Sequence, residues 1–275
     1  MKIIRKIAKL EFKIEIAGTL LWLLVLSLIL ILFMFFFPFM RDSDMAVLLE
    51  NFNAFPPELM EAMHLNDMDS LLQLDGYFVY VFQYIFLAAC IFACLLGGKS
   101  LIKEESDGVI EFLYSQPLTR KNLVFGKLAG NLLLLFVLWT GLFCSSSLCA
   151  VLFKNNSGEL KNFITGAISV FLNQIIILIL FYSIGLLFSS LLKSVQQVSG
   201  IAMGLVFGNY IVGLLSDVMK DFSWLQYLSP IKIAAPAALL KENIDPFYFS
   251  MLILLSVLAL FSASVIYKRK DLRLL

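Results

Sequence analysis

The run IAGTLLWLLVLSLILILFMFFFPFM, residues 16–40, contains no charged side chain. A helix rises about 1.5 Å per residue, so roughly 20 residues cross the roughly 30 Å of bilayer hydrocarbon, and a helix satisfies its own backbone where no water can. Five further uncharged stretches of comparable length lie at 76–98, 128–153, 162–192, 194–216 and 246–267. The pattern predicts an all-α integral membrane protein with six transmembrane helices, forming a single unit over residues 1–275. Its chemistry is then to be sought in the short segments between the spans.

Composition agrees. The chain is 60% apolar and 15% charged, with a mean hydropathy of +0.91, where soluble domains carry about 25% charged residues. A soluble fold would need six helices, apolar all round, inside one core. The net charge of +1 singles out no partner, and nucleic acid is not expected among them. The distribution of charge says more. Segments 1–15, 99–127, 193 and 268–275, which share one side of the membrane, hold 15 of the 21 Lys and Arg. Cytoplasmic loops carry the excess of Lys and Arg, so both termini are expected in the cytoplasm. The basic N-terminus leads into a long apolar run without a small-residue cleavage pattern, which predicts a retained anchor rather than a secretion signal.

Cys90 and Cys94 fall in the second stretch and Cys144 and Cys149 in the third. At membrane depth they behave as small apolar residues. The lone histidine, His64, lies in a distant loop, so neither a metal site nor a histidine-dependent intramembrane protease is expected.

Residues 2–15 show helical periodicity, with Ile3, Ile7, Leu10 and Ile14 on one stripe and Lys2, Lys6, Lys9 and Lys13 beside it. This predicts an interfacial helix, ammonium groups toward anionic lipid, turning into the membrane near Gly18. The loop 41–75 has eight acidic residues against one basic, interleaved with apolar ones, and predicts short amphipathic helices on the outward side. Between 217 and 245, Ser229-Pro230 marks a capped helix start. Pro236 interrupts the apolar run 231–240, which predicts a re-entrant or interfacial helix pair before the last span. Gly185 is the expected bend in the long fourth stretch.

Polar, uncharged side chains inside the spans include Asn131, Ser145 to Ser147 (Ser146 among them), Asn173, Gln174 and Asn209. They could line a substrate path or bond across helices as glue. Gly200, Gly204 and Gly208 recur every fourth residue and predict a close helix contact, with a helix of this chain or of a partner subunit.

The longest basic-side connection is KSLIKEESDGVIEFLYSQPLTRKNLVFGK, residues 99–127. Asp107-Gly108 favours a turn, Val109, Ile110, Phe112 and Leu113 supply an apolar face, Pro117 ends the short helix, and Thr119 caps the next. Such a helix, held between two spans, can plug into a soluble partner or lie as an interfacial turn on lipid.

With the acidic pair Glu104 and Glu105, then Gly108, Glu111, Leu113, Ser115, Pro117, Arg120 and Gly126-Lys127, this segment resembles the coupling region of type 2 ABC exporter permeases. The likeness extends over the six spans, the long loop after the first, and Leu228-Ser229-Pro230 before the last. It implies that Glu104, Glu105, Gly108, Val109, Ile110, Glu111, Phe112, Leu113, Pro117 and Arg120 form the contact with a separate ATP-binding subunit. Two such subunits, carrying ATP and Mg, would serve two permease chains, identical or different. No Gly-x-x-x-x-Gly-Lys-Ser/Thr run occurs in the chain, so ATP hydrolysis is expected in the partner and no cofactor in this polypeptide. The resemblance implies ATP-driven export of a peptide, antibiotic or lipid. A secondary transporter or channel is the rival, and it usually keeps ionisable residues near the midplane, where these spans have none. A non-transporting scaffold or sensor subunit is the other alternative.

Overall fold

A computed structural model describes residues 2–40, 71–106, 119–154, 157–241 and 243–270. Six long helices dominate: α1 (Lys2–Met34), α3 (Leu74–Ser100), α5 (Arg120–Phe153), α6 (Ser157–Leu191), α7 (Gln196–Val218) and α10 (Pro246–Arg269). Each is long and apolar enough to cross a membrane. Short helices lie between them: α2 (Phe37–Met40), α4 (Lys103–Ser106), α8 (Pro230–Ile233) and α9 (Pro236–Lys241), with a 3-10 segment at Lys220–Leu228 before α8.

The six expected spans fall on the six long helices, and one expectation fails. Residues 2–15 are not a separate interfacial helix turning inward near Gly18. Lys2–Met34 is one continuous helix, and Gly18 sits within it with nothing near the position of a side chain. A lone glycine costs a helix about 1 kcal/mol, too little to break a run apolar or amphipathic on both sides. The helix ends where proline forces it to. Pro38 has no amide hydrogen for the Met34 carbonyl, and the chain turns at Phe35–Phe36 before α2 resumes.

α3 and α6 form the centre. Over their apolar spans 72% and 67% of residues are buried inside the molecule, against 22% for α1, α7 and α10, whose outer faces are apolar and exposed. Water would oppose that arrangement; hydrocarbon does not. The central pair touches backbone to backbone. A Cβ on Gly185 would stand 2.3 Å from the Cys94 carbonyl oxygen, and one on Gly97 2.2 Å from that of Tyr182. Gly185 is therefore a contact point within one continuous helix. Farther along, Phe82, Trp139 and Phe171 close the core, with ring centroids 4.8 Å apart for Phe82–Phe171 and 4.6 Å for Trp139–Phe171. The Trp139 indole donates to the Phe171 carbonyl (2.9 Å), so its polar edge is satisfied at depth.

α1 packs lengthwise on α5 through a second small-residue seam. Gly126 faces Ile7, and a Cβ on Gly130 would lie 2.8 Å from the Ala8 carbonyl oxygen. By contrast Gly200, Gly204 and Gly208 have nothing within 4 Å of a built Cβ. Among the described residues no helix of this chain uses that stripe.

At the end opposite the termini, the expected helix pair is present as α8 and α9, entered through Pro230 and Pro236. The Ser229 hydroxyl accepts from the Lys232 amide (3.3 Å) and caps α8. Asn209 of α7 holds the turn, donating to the Leu228 carbonyl (3.0 Å) and accepting from the Ile231 amide (3.3 Å). Lys232 pairs with Asp217.

Candidate functional site

The basic stretches converge at the end of the bundle where α1 begins and α10 stops. The connection 99–127 leaves α3 there and returns into α5. Residues 107–118 at its middle lie outside the described residues, and with them Gly108, Val109, Ile110, Glu111, Phe112, Leu113 and Pro117. The two arms on either side are described, and both are tied down.

On the outgoing arm, Leu101 and Ile102 are buried, and their amides donate to the Ser189 hydroxyl of α6 at 2.9 and 3.1 Å. The hydroxyl gives two buried backbone donors of the turn between α3 and α4 a partner. In α4, Lys103 pairs with Glu15 of α1. The Glu105 carboxylate accepts from Lys270 Nζ at 2.8 Å, and Lys270 also donates to the Leu192 carbonyl (2.9 Å). Glu105 is thus buried in an internal ion pair. Glu104 precedes it in α4.

On the returning arm, the Thr119 hydroxyl accepts from the Asn122 amide (3.3 Å), the expected cap of α5. Arg120 reaches across to the end of α10. One guanidinium nitrogen, Nη1, donates to the carbonyls of Tyr267, Lys268 and Lys270 at 3.1, 3.0 and 2.7 Å. Carbonyls at the C-terminal end of a helix sit at the negative end of its dipole, which a cation stabilises. Two turns deeper, Lys127 is 2% exposed, donates to the Ser100 carbonyl and lies 3.7 Å from a Glu11 carboxylate oxygen. Asn131 donates to the Ser100 hydroxyl (3.1 Å) and to the Tyr182 hydroxyl (3.3 Å).

Both arms therefore end on the same two supports. Lys103 and Lys127 hold α1 through Glu15 and Glu11; Glu105 and Arg120 hold the end of α10. Sequence reasoning singled out Glu105 and Arg120, and it passed over Glu11, Glu15, Lys103, Ser189 and Lys270. A signal for part of this was present: Gly126, Lys127, Gly130 and Asn131 share one face of α5, small residues alternating with polar ones at helical spacing.

The polar span residues do not converge. Besides Asn131, the Ser146 hydroxyl bonds the Leu142 carbonyl of its own helix (2.8 Å). Asn173 donates to the Ser169 carbonyl (2.8 Å) and to Asn243 (2.9 Å). Gln174 reaches the Ala234 carbonyl (2.8 Å), and Asn209 holds the turn before α8. Each is bonded within the chain, at a different place.

The chain matches the family described as ABC-2 family transporter protein over residues 5–272, and it belongs to that family. It is a multi-pass protein of the cell membrane, a permease component; such permeases work in general with ATP-binding subunits and are not themselves catalytic. No curated protein matches the chain.

Proposed function

We propose that this chain is one half of the membrane path of an ATP-driven exporter. The segment 107–118 docks on a separate ATP-binding subunit, and the basic end of the bundle faces the cytoplasm. The observation that carries this is the convergence of both arms of the segment on α1 and on the end of α10. A segment gripped by a partner, with both its arms braced on two spans, can pass force to those spans. ATP binding draws the two partner subunits together. The Val109–Leu113 segments follow, and the spans switch between inward-facing and outward-facing arrangements around a path between two permease chains. The asymmetry of Lys and Arg supports the orientation.

The cargo best suited to spans without ionisable residues is amphipathic or hydrophobic: a peptide, an antibiotic or a lipid. The intact complex should co-purify with an ATP-binding subunit of separate sequence. Within it, Glu111→Lys and Gly108→Pro should each abolish cargo-stimulated ATPase activity while the permease still inserts. Unchanged stimulation in both variants would refute this placement of the contact.

A further inference from the structure

α5 and α10 meet at the basic end through Arg120 and diverge deeper in the membrane, where α10 rests on α6. Between them opens a groove of about 550 Å³, floored by the buried Leu186 of α6 and walled by Phe125, Leu128 and Phe261. That volume falls in the range of small-molecule and cofactor sites, about 300–1,000 Å³. Its mouth is charged. Lys121 and Lys268 line it at the basic end, both exposed, and neither has an acidic partner among the described residues. Every residue farther in is apolar except Ser264.

The dimensions are those of one leaflet. On α10 the wall runs from Lys268 to Val257, which at helical rise is about 16 Å, or about half of the roughly 30 Å hydrocarbon thickness. A lysine pair at headgroup level above an apolar channel one leaflet deep is complementary to a lipid with an anionic head. We propose that this groove is a binding site for a single anionic phospholipid of the adjacent leaflet, its phosphate on Lys121 and Lys268 and an acyl chain along Phe261 and Leu128. The bound lipid bridges α5 and α10 beside Arg120, the contact that joins the returning arm to α10. The inference needs only a bilayer around the chain and holds whether or not the protein exports anything.

The test is native mass spectrometry of the full chain released from detergent, with dioleoyl phosphatidylglycerol or dioleoyl phosphatidylcholine added. Phosphatidylglycerol should be retained as a single-lipid adduct and phosphatidylcholine should not. Each lysine near the membrane surface contributes enough that Lys121→Gln with Lys268→Gln should weaken retention about 30-fold. Both side chains are exposed, so the unfolding temperature should not change. Lys9→Gln with Lys13→Gln, on α1, should leave retention as it was, and glycerol phosphate should not displace the lipid. Equal retention of both lipids, equal loss in the α1 control, or displacement by glycerol phosphate would each overturn the proposal. So would a Ser264→Cys chain that oxidises to a disulfide-linked pair, since a second copy would then cover the groove.

Discussion

Glu105 and Lys270 are 165 positions apart in the chain and 2.8 Å apart in space. Both side chains are largely buried, 7% and 14% exposed, and a buried carboxylate without its cation is costly. Lys270→Ala should therefore lower stability by about 3 kcal/mol, because it takes away the cation paired with the buried Glu105 carboxylate. Glu105→Gln combined with Lys270→Met should recover most of the loss, since neither charge then needs solvating. Thermal unfolding in detergent, followed by a thiol-reactive dye reaching the buried Cys90 and Cys94, measures both. Equal unfolding temperatures for wild type and Lys270→Ala would show that the pair contributes nothing.

At the scale of elements, glycines divide into those that carry a helix contact and those that face outward. Gly185→Ala would place a methyl 2.3 Å from the Cys94 carbonyl oxygen. Overpacking of this kind costs about 1–3 kcal/mol, because α3 and α6 must separate. Gly204→Ala meets nothing within 4 Å, and the monomer should keep its stability to within about 0.5 kcal/mol. The same dye assay separates the two, and matching losses would contradict the packing described. Spacing alone does not say what a seam meets. The stripe Gly200, Gly204 and Gly208, expected against a helix of this chain or of a partner subunit, meets none of this chain's described helices, which come together through Gly97 and Gly185 between α3 and α6 and through Gly126 and Gly130 of α5 against α1. Periodicity tells which residues share a face; it does not tell which face meets another helix.

For the whole molecule, the end of α10 is the support that both arms of the 99–127 connection share. Arg120→Ala with Lys270→Ala removes both ties while leaving residues 107–118 untouched. In the assembled complex this variant should insert all six spans and retain the ATP-binding subunit, yet lose most of its cargo-stimulated ATPase activity. Protease protection, co-purification and ATPase measurements read the three outcomes. Stimulation at the wild-type level would show that α10 takes no part in transmission.

The membrane class, the six spans, the caps at Thr119 and Ser229 and the helix pair after Pro230 were all legible in residue order. Each depends on local physics: the length of an apolar run, a hydroxyl over free amides, a proline at a first turn. The continuity of α1 through Gly18 needed the structure, because a weak local breaker loses to packing along α5. The bracing of both arms on Glu11, Glu15 and the carbonyls of 267–270 also needed it. Nothing in local sequence records which distant charge will answer Lys103, Glu105, Arg120 or Lys127; that choice is made when the ends of four helices are brought to one place.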